Sequence, residues 1–395
     1  MTSDAIFLYL FAIAALAWII KINIAWPVSP VPNLTPANLP LPSFDYKGVI
    51  HCHTIYSDGA ASFEELINDS NQIGLDFLVT TDHNTLKPRE DGWEGWHGKT
   101  LVLVGEELST NAGHLLVFNM DQKMPLTEAQ AAIDYINTHG GISIIAHPAN
   151  LKHPWTNWKI QHFSGIEVVN FDSVCRRKAI EIMGAFALIF FLFSPRYLGD
   201  VVINNTPYKE LKLWDKLALT RKTIGIGGVD AHGLLKVGKK KYRYPSYLHT
   251  FQTVHTHFIL AQKLSHNFIA DKNAIYNAMA KGNAYFAFDL FAPANGFRFF
   301  AANGKDVAHM GDELTLLENK LATLTVILPP GQSEIIQIIR NGRIITTTIG
   351  SEVTIKIDAP GSYRVMVFRH QAKLPFNFIY RKKFWIGSNP ITIHQ

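Results

Sequence analysis

From Tyr46 to Asp230, short β-branched runs alternate with helical patterns, and nearly every run delivers a His, Asp or Glu at its end. The runs cover residues 48–53, 77–82, 101–108, 114–118, 142–147, 165–170 and 223–230. Strand, helix and strand in repetition predict a parallel sheet, open or closed as a barrel. The alternation extends over about 240 residues, the usual size of one (β/α) barrel. Among the helices, residues 63–73 are opened by Ser62 with Glu65 three residues on, a capping box. Thr127 is the expected cap of a second helix, which runs to His139 and stops at Gly140-Gly141.

The strand ends carry the chemistry. His51 and His53 flank Cys52, and alternation along a strand puts the two histidines on one face. Asp58 follows in a Ser57-Asp58-Gly59 turn, and His83 closes the second run as Thr81-Asp82-His83-Asn84. Glu106 and Glu107 end the third run, His114 starts the fourth, and His147 ends the fifth. The last run ends on Asp230-Ala231-His232, again two ligand types sharing a face. In parallel barrels the active site is built at the carboxyl ends of the strands. Nitrogen and oxygen ligands without thiolates suit Zn, Mn or Fe, and more than four of them imply more than one ion.

A single His at a strand end is an ordinary satisfied side chain. Six His and three carboxylates, each at a strand terminus, are not explained by core filling, because buried polar groups need partners. Of the 17 histidines, the remainder read as ordinary: His97, His139, His153, His162, His249, His255, His257, His266, His309, His370 and His394.

Composition sets the outer limits. Apolar residues make up 47% and charged residues 17% of the 395 positions. That excludes disorder of the whole chain, since disordered chains are charge-rich and apolar-poor. Two cysteines exclude a disulfide framework, and a net charge of +5 is too weak to argue for nucleic acid. Residues 5–20 are apolar and uncharged, just short of the ~20 residues of a usual span, and Lys21 and Trp26 extend the run by snorkelling. This predicts a membrane anchor over 1–26, followed by a Pro-rich linker over 27–43. Residues 182–193 form a second apolar stretch, too short to span, which reads as a buried barrel helix or as an element dipping into the membrane. Arg176, Arg177 and Lys236 follow strand ends, and solvated surface positions explain them better than phosphate contacts do.

After Ala292 the texture changes. Five β-type runs, 321–328, 335–340, 344–348, 353–357 and 363–368, are separated by Pro329-Pro330-Gly331, Asn341-Gly342, Gly350 and Pro360-Gly361. Asn-Gly between strands is a strong hairpin signal, and the spacing predicts a β-sandwich. The expected organisation is therefore an anchor (1–26), a linker (27–43), a barrel (44–295, with a long insertion at 171–222) and a sandwich (296–395).

The motifs resemble a known family. Gly48-Val-Ile-His-Cys-His-Thr-Ile-Tyr-Ser-Asp-Gly59 and Gly74-Leu-Asp-Phe-Leu-Val-Thr-Thr-Asp-His-Asn84 are similar to the PHP (polymerase and histidinol phosphatase) superfamily. Gly105-Glu-Glu-Leu-Ser-Thr110 with Gly113-His114, Ile145-Ala-His-Pro148, Gly165-Ile-Glu-Val-Val-Asn170 and Gly227-Gly-Val-Asp-Ala-His232 follow in order. The resemblance covers about residues 45–295 and implies an α/β fold, a distorted (β/α)7 TIM-like barrel with a trinuclear metal site. By position it assigns His51, His53, Asp58, His83, Glu107, His114, His147, Asp230 and His232 as the metal ligands. Glu107 fits the bridging carboxylate better than Glu106, by the Gly-x-Glu pattern. The tail also resembles members with an apolar N-terminus, a Pro-rich spacer and a β-sandwich ending near Ser388-Asn-Pro-Ile391. Such members are membrane-tethered by a single pass, which implies a transmembrane helix here and a body on the extracytoplasmic side.

The implied function is metal-dependent hydrolysis of a small phosphoester through a metal-bridging hydroxide, at two or three divalent ions. Glu107 bridges the ions, Asp230 binds one and orients or deprotonates the water, and His232 with His83 holds the third. One rival is an amidohydrolase-like attack on a C–N or ester bond at the same site. Another is a membrane-tethered scaffold with structural metals, which complete ligand sets at strand ends disfavour.

Overall fold

The computed structural model describes residues 43–180, 206–237, 240–316, 321–371 and 381–395. The strands of the first part are β1 (Phe44–Ile50), β2 (Phe77–His83), β3 (Gly95–His97), β4 (Thr100–Thr110), β5 (Gly113–Phe118), β6 (Ile142–Ile145), β7 (Gly165–Asn170), β8 (Ile224–Gly228), β9 (Leu234–Val237), β10 (Lys240–Arg243), β11 (His255–Leu260) and β12 (Ala284–Ala287). The helices are α1 (Phe63–Ile73), α2 (Lys87–Glu90), α3 (Ala129–Thr138), α4 (Phe171–Ile180), α5 (Tyr208–Ala218), α6 (Tyr247–Phe251) and α7 (Phe268–Lys281). The capping box at Ser62 forms as expected, with Ser62 and Glu65 satisfying each other's backbone N–H. The cap of α3 is corrected by one residue: Glu128, not Thr127, accepts from the N–H groups of Gln130 and Ala131.

The main sheet runs β11-β1-β2-β4-β5-β6-β7-β8 through this part of the chain. Ladders β1–β2, β2–β4, β6–β7 and β7–β8 are parallel. The expectation of an all-parallel sheet is corrected at β5, which is antiparallel to both neighbours. Only Asn111 and Ala112 separate β4 from β5, and so short a connection can join antiparallel strands alone. The reversal has a use. The amino end of β5, with His114, lies at the same end of the sheet as the carboxyl ends of the other strands.

The run curls until its ends meet. The N–H of Val229 donates to Ile50 O (3.1 Å), that of Asp230 to His51 O (2.7 Å) and that of His53 to Ala231 O (2.9 Å). The strands are apolar on both faces, and the period of two divides them between two cores. Val49, Leu78, Leu115, Val117 and Ile145 pack with Leu66 of α1, Ile133 and Ile136 of α3 and Trp214 of α5. Ile50, Phe77, Val79, Leu116, Phe118 and Ile144 pack with Ile275 and Met279 of α7.

The remaining strands are β13 (Arg298–Asn303), β14 (Asp306–His309), β15 (Glu313–Thr315), β16 (Ala322–Ile327), β17 (Glu334–Arg340), β18 (Arg343–Gly350), β19 (Glu352–Ile357), β20 (Gly361–Gln371), β21 (Arg381–Ser388) and β22 (Ile391–His394). β12 pairs with β21, so the large sheet continues through β21, β20, β22 and β15, with β17 and β18 branching from β20. A separate sheet, β14-β13-β16-β19, packs on it through Phe299, Leu324 and Val326 against Ile336, Val365 and Trp385. The Asn341-Gly342 turn joins β17 to β18 with both residues at positive φ, 50° and 77°.

The membrane-anchored localisation is not upheld. Among the described residues no helix is long and apolar enough to cross a membrane. The anchor and linker expected over 1–43 lie outside the described residues except for Ser43, as does the apolar stretch 182–193. The extracytoplasmic placement that depended on the anchor is withdrawn with it.

Candidate metal centre

All nine residues singled out at the strand ends converge at one end of the curled sheet. Three overlapping groups have the spacing of ion ligands: His51, His53, Glu107 and Asp230; His53, Asp58, His83 and His232; and His83, Glu107 and His114. His147 joins them through Glu107, whose Oε1 is 2.9 Å from His147 Nε2 and 2.7 Å from His114 Nδ1. The other oxygen of Glu107, Oε2, is 3.1 Å from His53 Nε2, 3.3 Å from His51 Nε2 and 3.4 Å from His83 Nδ1. Asp230 Oδ1 is 3.3 Å from His53 Nε2 and 3.4 Å from His51 Nε2. Asp58 Oδ1 faces His232 Nε2 at 3.3 Å and His83 Nε2 at 3.7 Å on the solvent side. Glu106 is excluded by alternation along β4: it points to the opposite face and accepts from the Met124 N–H.

The backbone bends sharply here. His51, His147 and Asp230 have φ of 67°, 28° and 53°, in the left-handed region that L residues avoid. Each such residue costs about 1–3 kcal/mol, and these conformations cluster where function needs them. The bends turn the side chains off the ends of β1, β6 and β8 into a common space.

Burial and charge oppose each other throughout. Burial alone would lower the His51 pKa, but the carboxylates of Glu167, Asp230 and Glu107 raise it well above the ordinary value. For His53 the same contest, decided by Asp230 and Glu107, ends at about 9. Burial would raise the Glu107 carboxyl, yet the charge of His51 and the hydrogen bonds from His114 and His147 hold it well below the usual range. Asp58 is held at about 2: burial would raise it, and His232, His53 and His83 lower it. Buried carboxylates and ring nitrogens thus face one another across one space, each shifting the other.

The donor set fits metal ions. Buried ring nitrogens of His51 (Nε2), His53 (both), His83 (Nδ1) and His147 (Nδ1) have no hydrogen-bond partner. Several of them stand at ion-pair distance from carboxylate oxygens, but their directions do not make hydrogen bonds. Ligands about 2.1 Å from one ion lie roughly 3.0 to 3.4 Å apart, which is the spacing seen around Glu107 Oε2 and Asp230 Oδ1. Lone pairs aimed inward at that spacing are costly without an ion between them.

Supporting residues escaped the sequence reading. Asp82 accepts from Thr54 N–H (2.8 Å), Thr54 Oγ1 (2.8 Å) and Ser57 Oγ (2.6 Å), and so shapes the loop that carries Asp58. The Tyr247 hydroxyl lies 2.8 and 2.7 Å from the carbonyl oxygens of His53 and His232. Glu167 accepts from His51 Nδ1 at 2.9 Å. The signal for Glu167 was present: a carboxylate within an apolar strand run must have a partner. His153, read as ordinary, stacks on His114 with ring centroids 5.2 Å apart. The side chains of Arg176, Arg177 and Lys236 lie outside the described residues.

A second buried group contains His255 and His257, both read as ordinary, with Asp289. Here the ring nitrogens face protein oxygens: His255 those of Asp289 and Phe251, His257 those of Asp45 and Asp289. Arg298 completes the network at 3.0 Å from Asp45 Oδ2. The contrast with the first cluster is that no nitrogen of these two rings is left over.

No protein-family profile matches the chain, and no curated protein matches it. Among solved structures, the neighbours include proteins described as metal-dependent phosphoesterases. One is a two-domain protein from Bacteroides vulgatus, described as containing a predicted PHP-like metal-dependent phosphoesterase. It shares 14% identity at a TM-score of 0.42, covering 88% of this chain and 95% of that one. A protein from Bifidobacterium adolescentis named as a metal-dependent phosphoesterase shares 14% identity at a TM-score of 0.29, covering 50% and 90%. An amidohydrolase from Chromobacterium violaceum, with bound sulfate and no metal, shares 13% at 0.28, covering 51% and 92%.

Proposed function

We propose that the chain is a metal-dependent hydrolase acting on a small phosphoester at the cluster around Glu107. The observation that carries this reading is the set of orphaned, inward-facing histidine nitrogens spaced as ligands around two buried carboxylates. The choice of a phosphoester rests on the ordered motifs that resemble the PHP superfamily. On this reading residues 44–295 form a distorted (β/α)7 barrel, and residues 296–395 a β-sandwich.

Divalent ions held there supply Lewis-acid charge to a phosphoryl group as negative charge develops on it. The protein's own groups do the rest. Glu107 spans the His51–His53 side and the His114–His147 side with its two oxygens. Asp230 Oδ1, facing the same space, orients the attacking water and accepts its hydrogen bond. Asp58, His83 and His232 are partly exposed and form the lip at which substrate arrives. A cluster open on one side suits catalysis, since structural metal sites are closed.

The test is elemental analysis of the purified protein together with a panel of phosphomonoesters, diesters and nucleotides, with amides and lactones alongside. We expect metal-dependent hydrolysis of a phosphoester, reduced at least ~100-fold by His83→Ala or Asp230→Ala, as for loss of a group acting directly on the transition state. A metal-loaded protein inert toward every phosphoester would overturn the proposal, and turnover of an amide or lactone alone would reassign the bond cleaved.

A further inference from the structure

Three cluster residues, His51, His147 and Asp230, stand on left-handed backbone. Two side chains that belong to none of the ligand groups reach all three. Glu167 Oε1 accepts from His51 Nδ1 at 2.9 Å, and its Oε2 accepts from the His147 backbone N–H at 2.7 Å. Asn170 Nδ2 donates to Glu167 Oε2 at 2.9 Å and to Asp230 Oδ2 at 3.2 Å. The orientation of that amide is fixed by its oxygen, which accepts from Ser173 N–H at 2.8 Å.

The strand is built for this arrangement. Residues three apart on a regular strand face opposite ways. The β7–β8 register shifts between Glu167 and Val169, and such an irregularity re-aims side chains, here bringing Glu167 and Asn170 to one side. The carboxylate has room because residue 228 is glycine: a Cβ there would collide with Glu167 Oε1 and come within 3.0 Å of His51 Cβ. Glu167 is fully buried.

We propose that Glu167 and Asn170 are positioning residues that hold His51, His147 and Asp230 in metal-binding geometry. By accepting from Nδ1, Glu167 fixes the His51 tautomer whose Nε2 lone pair faces Glu107 and Asp230. Its other oxygen pins the bent backbone at His147, and Asn170 holds one oxygen of Asp230 so that Oδ1 turns inward. The inference rests on the metal reading above and concerns residues outside the ligand set.

The experiment uses the full chain, stripped of metal and titrated with Co²⁺. Affinity is read by competition with a chromophoric chelator, and coordination by the visible Co²⁺ absorption. Glu167→Ala and Asn170→Ala should each weaken Co²⁺ binding by about 10- to 100-fold and alter the absorption bands. Glu167→Gln, which retains an acceptor oxygen, should recover part of the loss. Leu324→Ala, in the separate core of the C-terminal sheets, controls for instability and should bind as wild type does. Wild-type affinity and spectrum in the Glu167 and Asn170 variants would overturn the clamp alone, as would an equal loss in Leu324→Ala. A wild-type chain that binds no Co²⁺ would remove the metal reading and the clamp together. If Glu167→Ala fails to fold, Glu167→Gln and Asn170→Ala decide the matter.

Discussion

At the scale of single residues, Gly228 is the most exposed to test. It leaves empty the volume that the Glu167 carboxylate occupies. Gly228→Ala is expected to cost about 1–3 kcal/mol by overpacking, since the interior there is closed and the displaced carboxylate has nowhere to go. Denaturant unfolding of the metal-free protein measures it, and an unchanged midpoint would show that the site relaxes freely. The residues of the cluster were legible because a strand end is a defined place in the sequence: His51 and His53, His83, His147 and Asp230 each stand at the end of a run, while the Gly-x-Glu pattern of the resemblance favoured Glu107 over Glu106. Glu167 was legible only as a carboxylate in need of a partner; which partner it has was not. It sits in the middle of a run, and its register irregularity depends on pairing with a segment more than fifty residues away.

Among elements, α1 shows the most direct link from sequence to stability. Ser62 N–H donates to Glu65 Oε2 at 3.0 Å, and Ser62 Oγ accepts from Glu65 N–H at 3.4 Å. Ser62→Ala is expected to cost about 1 kcal/mol, read from the shift in the urea midpoint. The helix matters beyond its own turns because its buried face joins the sheet, Leu66 in one core with Val49 of β1 and Leu78 of β2, and Phe63 with Val102 and Val104 of β4. Reversal of β5 could have been foreseen from the short gap before His114, which leaves no length for a crossover. The shift of the α3 cap from Thr127 to Glu128 could not: both side chains carry an acceptor, and only the approach of the chain selects between them. The Asn341-Gly342 hairpin was legible because its turn demands two residues tolerant of positive φ.

For the whole molecule, the decisive feature is the buried charge network at the junction of the two halves. Asp45 on β1 meets His257 on β11, Tyr285 on β12 and Arg298 on β13, while Asp289 joins His255 to His257. Arg298→Ala removes one partner of a buried pair and is expected to destabilise the fold by about 3–5 kcal/mol. Burial would lower the His257 pKa, but Asp289 and Asp45 raise it to about 9. A folded pKa above the unfolded ~6.5 means stability fully present below that pH and lost as pH rises to about 9. Unfolding midpoints of the metal-free wild type should therefore fall across that window, and His257→Gln should lose part of that slope, with His53 keeping a share of it. None of this network was read from the sequence, because its members come from four separated segments. The β12–β21 ladder extends the same junction through backbone hydrogen bonds. Such a seam forbids exchange of the C-terminal part as a cassette. A graft onto another body would leave β12 paired on one side only, with β11, and Asp45 without its guanidinium, so the two halves are built as one unit.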